Sequence, residues 1–223
     1  MKKLYITILA TLFMSAYAYA GSYNLGVSGS LIDVNADGTE TTTAGSVGGG
    51  AANTNSTSVD NQAIIASIFA EYEMDGGIVF GFEHVPGSAD VSKNVRSRTE
   101  TAQGVSGTDA DGVVTRKAQA EVENLNTLYV EYPIGGYYVR AGFTQVDVNT
   151  TETVPTSSGT YGNTTLDGLN LGVGFKGSLG DYFTKLSVEY TDFEDLSLTS
   201  TTSNKITADL DTTQLKFAIG KSF

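Results

Sequence analysis

Nine charged side chains sit inside segments that otherwise alternate with apolar residues: Glu71, Glu73, Glu83, Glu131 and Glu189, with Arg140, Lys176, Lys185 and Lys216. In an extended chain, alternate positions share a face, so these charges point one way and their apolar neighbours the other. Isolated charges are costly to bury, but five acids set against four bases can neutralise one another in a hydrogen-bonded network. The chemistry on offer is ion pairing, as an interior plug or, if water enters, as the lining of a narrow ion path. Two other constellations deserve a chemical reading. Asp33-Val34-Asn35-Ala36-Asp37-Gly38 matches the first half of a calcium loop, with oxygen donors on alternate residues and Gly at the sharp turn. Its twelfth position is Ala44 instead of a bidentate Glu, and Asp-Gly is an ordinary turn former, so no metal is expected and Asp33, Asn35 and Asp37 form a weak candidate set. Lys93, Arg96, Arg98, Arg116 and Lys117 crowd one polar stretch; if its two arms pair, they gather on one hairpin and suit phosphate groups, or simply keep that hairpin solvated.

Strands must position these residues, and the final nine residues show one plainly. Leu215, Phe217, Ile219 and Phe223 fall on one parity, and Lys216, Ala218, Gly220 and Ser222 on the other. Lys221 interrupts the greasy parity, where a lysine near the interface can snorkel to the headgroups. An open edge here would invite aggregation, whereas a closed barrel abolishes the edge and turns the greasy parity toward lipid. Seven more alternating segments lie around residues 23–31, 64–74, 78–82, 128–132, 137–143, 169–175 and 182–190. Segments of about ten residues cross a membrane when tilted. The expected fold is an all-β, eight-stranded antiparallel up-and-down barrel with the nine charges inside. Counted up from the turns, Glu189 and Lys216 share a height on neighbouring strands, and Glu71 and Arg140 share another. Asn124 and Asn126 continue a lipid-facing parity, which predicts either a bulge that turns them or, preferred here, a strand that leaves the membrane early as a projecting hairpin.

The connections sort by length. Residues 75–77, 133–136 and 178–181 are Gly-containing tight turns, while 35–62, 87–118, 149–167 and 194–208 are long and polar. Short turns at one end and long loops at the other suit a membrane barrel better than a soluble sandwich. The Thr-, Ser-, Asn- and Gly-rich stretches 39–61 and 149–165 are expected to be flexible. At the start, Lys2 and Lys3, an apolar run over 4–14 and Ala18-Tyr19-Ala20 form a signal-peptide pattern. The expected organisation is a cleaved segment 1–20 and a barrel over 21–223. Setting aside Lys2 and Lys3 leaves 11 bases against 25 acids, which argues against nucleic acid as a partner, and the absence of cysteine rules out a disulfide framework.

With its terminal aromatic and the alternation before it, the chain resembles the small eight-stranded outer-membrane proteins, the group of the OmpA-type barrel domain, OmpX and the opacity proteins. That resemblance implies an outer-membrane location and short turns in the periplasm. It implies recognition of Leu215, Phe217, Ile219 and Phe223 by the barrel-assembly machinery. Membrane lipid and lipopolysaccharide are the implied neighbours, the latter through the phosphates facing Lys93, Arg96, Arg98, Arg116 and Lys117, and the protein is expected to be a monomer without cofactor. The role implied is structural or surface interaction, with a narrow, weakly conducting porin as the alternative. Some related barrels are lipid A-modifying enzymes with a His and Ser pair. Here the one histidine, His84, has Ser88 four residues on, and the His-x-Ser spacing of the deacylase type is absent, so no enzyme is expected.

Overall fold

The computed structural model describes residues 21–42, 52–91, 96–102, 112–153, 160–201 and 203–223, the backbone alone over 96–102, 112–118 and 152–153. The expected leader 1–20, Ala44 and Lys93 lie outside the described residues. The strands in chain order are β1 (Gly21–Thr42), β2 (Asn53–Met74), β3 (Val79–Asp90), β4 (Arg96–Ala102), β5 (Gly112–Ile134), β6 (Tyr137–Thr153), β7 (Thr164–Leu179), β8 (Tyr182–Phe193), β9 (Leu196–Thr199) and β10 (Lys205–Ser222). Eight of them form an antiparallel ring, β1-β2-β3-β5-β6-β7-β8-β10, and β10 pairs back onto β1. Pairing persists to the last residue, where the Phe223 N–H donates to the Tyr23 carbonyl at 2.8 Å and the Tyr23 N–H to the Phe223 carbonyl at 3.2 Å.

The tight turns fall where the sequence places them. Gly77, Gly135 and Gly180 have φ of 78°, 65° and 61°, a left-handed backbone that costs a glycine little and other residues more. At the other end the expected loops are largely strand. β1 and β2 stay paired as far as Thr42 opposite Asn53, and β6 runs to Thr153. Threonine is a good strand former, so a Thr-rich polar stretch can continue a ladder in water without any apolar alternation to announce it. The expected flexibility of 39–61 and 149–165 is therefore corrected where those residues are described.

Asn124 and Asn126 stay on the outside, bonded to Asp147 and His84: a bulge is present but does not turn them inward, and the projecting hairpin is what forms. A register shift between Glu123 and Asn126 breaks the β5–β6 ladder, with Asn124 in the left-handed region at φ 55°, and a second shift lies between Val85 and Ser88 on β3. Asparagine tolerates that conformation better than most residues. Beyond the bulges β5 pairs with β3 again as far as Glu121 opposite Asp90, then runs on beside β6 and pairs with β4 as the projecting hairpin.

The long strands β1 and β10 change character partway up. On β1, Leu25, Val27 and Leu31 are exposed, while Asn24, Ser28 and Ser30 are buried inside. Farther along the same strand, Asp33, Asn35 and Asp37 take the outward parity, and Ile32, Val34 and Ala36 pack inward. On β10, Phe217 and Leu215 face out below Asp211 and Asp209, and buried Lys216 lies below buried Leu210. The lower half is apolar outside and charged inside, and the upper half is built like a water-soluble barrel, with a core of Val146, Val148, Leu166, Phe193, Leu196 and Leu210. The swap marks where hydrocarbon ends and water begins, because each parity follows the medium it faces.

Candidate functional site: the barrel lumen

An eight-stranded ring is just wide enough for side chains to fill it. All nine predicted charges point into the lower lumen, and each has an ionic partner. Lys216 Nζ lies 2.9 Å from Glu189, the expected partner, although the two do not share a height: Glu189 stands opposite Gln214 and Lys216 opposite Ser187, so the pair forms diagonally, and Lys216 also lies 2.8 Å from Glu83. Arg140 reaches the same two acids, at 2.7 Å to Glu83 and 3.3 Å to Glu189, so four residues from β3, β6, β8 and β10 close a ring of ion pairs. Asn170 Oδ1 accepts from Arg140 Nε at 3.1 Å, and Ser67 donates to Glu83 at 2.7 Å.

The predicted level shared by Glu71 and Arg140 does not become a contact. Glu71 pairs with Lys185 at 2.5 Å, and Lys185 also bridges to Glu131 at 2.6 Å. Heights counted from the turns ignore the stagger that tilted strands acquire on closure, so residues far round the ring that share a count lie at different levels. Lower still, Lys176 and Glu73 pair at 2.6 Å at the partly exposed mouth.

Sequence reasoning missed the aromatic frame around these charges. Phe69, Tyr129, Tyr138 and Phe183 point inward, and each stands directly opposite a glycine on the neighbouring strand: Gly26, Gly81, Gly174 and Gly220. A Cβ on any of these glycines would fall 2.2–2.4 Å from the facing ring. The rings occupy the space the glycines leave, an arrangement that also shields the backbone of each glycine. The Arg140 guanidinium lies 3.6 Å from the Tyr129 ring centroid, and Lys185 Nζ lies 5.4–5.9 Å from Tyr138, Phe183 and Phe69, within the range where a cation is attracted to a ring face. Inward aromatics opposite inward glycines were a legible signal once the strand partners were known.

A soluble barrel keeps its apolar side chains inside. This ring turns Leu25, Ile68, Val173, Leu186 and Phe217 outward, each about half exposed or more, and buries glutamates and lysines instead. The fold is that of a small outer-membrane barrel.

Solved structures of such proteins are similar to it. OprG from Pseudomonas aeruginosa has a TM-score of 0.46 and 13% identity, covering 92% of this chain and 97% of that one. The outer membrane protein AlkL has a TM-score of 0.46 and 18% identity, over 92% and 91%. The outer membrane protease OmpT from Escherichia coli has a TM-score of 0.46 and 9% identity, over 93% and 100%. No family model matches the chain, and no curated protein sequence does.

The remaining predicted residues of this outer-membrane barrel are dispersed. Leu215, Phe217 and Phe223 are exposed on the lipid side, Ile219 is half-buried, and Lys221 Nζ sits 5.8 Å from the Phe223 ring centroid. Asp33, Asn35 and Asp37 do not form a loop. They lie on the extended β1, where alternate residues diverge along one face, Asn35 bonding Asp211 at 3.2 Å and Asp37 accepting from Ser58. An extended strand cannot wrap its donors round one ion, and among the described residues no group of three or more acids or histidines could hold a metal. His84 Nδ1 lies 2.9 Å from Asn126 Oδ1, so its ring is engaged with an amide across the strand instead of with Ser88. In the projecting hairpin Arg98 is register partner to Arg116, and Ser97 to Lys117.

Proposed function

We propose that this outer-membrane barrel is sealed and non-enzymatic, a monomer with a structural role or one of surface interaction through its projecting strands and hairpins. The observation that carries this reading is the ion-pair ring of Arg140, Lys216, Glu83 and Glu189 across the lumen, around which a cavity of only about 10 Å3 remains. That is space for one water-sized species at most, far short of a continuous water column. Above it the apolar core of Val146, Leu166, Phe193 and Leu210 lies across the same lumen, so an ion would meet a charged barrier and then a dry one. The expected result in a planar bilayer is therefore silence: no steady conductance from the refolded protein at either polarity. Reproducible channels at single-protein level would replace this reading with that of a narrow porin.

The hairpin of β4 and β5 is the part of this reading that names a neighbour. The register sets Arg98 opposite Arg116 in that hairpin, and the basic residues its two arms gather suit an anion. Lipopolysaccharide phosphates at the outer leaflet would supply that anion. Replacing Lys93, Arg96, Arg98, Arg116 and Lys117 with Gln is expected to lower the lipopolysaccharide that co-purifies with the folded barrel, and equal retention by variant and parent would refute the contact. Recognition by the assembly machinery is read from the lipid-facing Leu215, Phe217, Ile219 and Phe223. Deleting Phe223, which also removes its two backbone bonds to Tyr23, is expected to reduce the heat-modifiable, membrane-assembled fraction in cells. Undiminished yield would count against it.

A further inference from the structure

The lumen's charges balance in two of their three groups. Glu83 and Glu189 face Arg140 and Lys216, and Glu73 faces Lys176. Between these groups, Glu71 and Glu131 share the single cation Lys185, whose Nζ lies 2.5 Å from Glu71 Oε1 and 2.6 Å from Glu131 Oε2. One positive charge is missing from this buried triad.

The two carboxyl groups differ in their surroundings. Glu71 accepts from Tyr129 OH at 2.7 Å and from Asn24 Nδ2 at 3.3 Å as well as from Lys185, so both of its oxygens are engaged. Glu131, 3% exposed, is bonded through Oε2 alone, and its buried Oε1 accepts no hydrogen bond from the described residues. The deficit therefore falls at Glu131 Oε1. The cavity of about 10 Å3 that Glu131 lines is too small for a metal ion with its coordination shell, whereas a proton needs only the carboxyl oxygen itself.

We propose that the triad binds one proton, carried by Glu131 Oε1, so that Glu131 is a neutral carboxylic acid accepting from Lys185 through Oε2. The step is the addition of one solvent proton to the Glu131 carboxylate, with no other bond made or broken. The other groups lining the cavity are Glu71 from β2, Glu83 from β3, Tyr129 from β5 itself, Tyr138 and Arg140 from β6, Lys185 and Glu189 from β8, and Lys216 from β10. Arg140 and Lys216 are already matched by Glu83 and Glu189, so neither supplies the missing charge. Two carboxylates beside one ammonium cannot both ionise without burying a net negative charge.

The linkage has a definite sign. An unfolded Glu releases its proton above about pH 4.3, while the folded barrel keeps it. The stability it contributes is fully present below that pH and is lost as pH rises through the value at which the fold lets the proton go. Glu131→Gln keeps the shape and needs no proton. Measured by urea unfolding in detergent, the ratio of the parent's unfolding constant to that of Glu131→Gln should rise by up to tenfold per pH unit above about pH 4.3. A ratio flat in pH would overturn the proposal. So would a ratio that responds to sodium against choline at fixed pH and ionic strength, which would assign the charge to an alkali cation. The parent alone gives a second reading should the variant fail to fold. Infrared spectroscopy of the folded barrel at neutral pH should show the C=O band of a protonated carboxylic acid, and its absence would also overturn the assignment.

Discussion

Lys216→Met is expected to cost about 3–5 kcal/mol of unfolding free energy, the usual loss when one member of a buried ionic set is removed. The variant leaves Glu83 and Glu189, both buried, with Arg140 as their one cation. Glu189→Gln alone errs the other way, leaving Glu83 between two cations. The double variant restores balance as a single Arg140–Glu83 pair, so it should regain much of what the first substitution loses, with a coupling free energy well above 0.5 kcal/mol. A double-mutant cycle by urea unfolding in detergent measures this directly. Coupling below about 0.5 kcal/mol would mean that water solvates each charge, as it does for exposed pairs, and would remove the physical basis for a sealed lumen.

Gly81→Ala should destabilise the barrel by about 1–3 kcal/mol, although it adds a single methyl group. That methyl would lie 2.2 Å from the Tyr129 ring. The ring cannot swing aside freely, because its hydroxyl is held by Glu71 at 2.7 Å and Arg140 lies 3.6 Å from its centroid. Gly29 is the control, since it has the same residue type in the same kind of strand but nothing within 4 Å of the added Cβ. Gly29→Ala should stay within about 0.5 kcal/mol of the parent, as surface changes usually do. Equal unfolding midpoints for the two variants would show that the aromatic frame is looser than its geometry indicates.

The lipid-facing half of the fold was legible because hydrocarbon imposes a strict rule on every second residue. Leu25, Val27 and Leu31, or Leu215 and Phe217, announce their strands without any knowledge of their partners. The same rule placed the nine charges inside. It could not assign their pairings, which depend on stagger: Glu189 finds Lys216 because those strands are neighbours, while Glu71 finds Lys185 across the ring. The upper barrel was hidden for a different reason. There the medium changes and the parities exchange roles, so Ile32 and Val34 inside and Asp33 and Asn35 outside look like the end of a strand when they are its continuation. Reading both parities of β1, β8 and β10 together shows the exchange, a signal present in the sequence but visible only once water is allowed to replace lipid outside. The Asp33–Asp37 pattern was ambiguous because a loop motif and a strand with alternate acids have the same spelling.

The seam between β1 and β10 bears on how the molecule forms. Tyr23 and Phe223, which exchange backbone bonds, are 200 residues apart, whereas Leu179 and Tyr182 meet across a two-residue turn. Closing a longer segment costs roughly 0.6 kcal/mol of chain entropy per doubling of length, and about six doublings separate these cases, so the seam starts roughly 4 kcal/mol behind a hairpin. The hairpins can zip early and independently, but the ring can shut only after β10 has been synthesised. Until then β1 and β10 present two long unpaired edges with greasy outer faces. Contacts so distant in sequence fold slowly and expose the chain to misassociation in the meantime. The rate-limiting event for this protein is thus expected to be the meeting of β1 and β10, and any escort during transit has those two edges to cover.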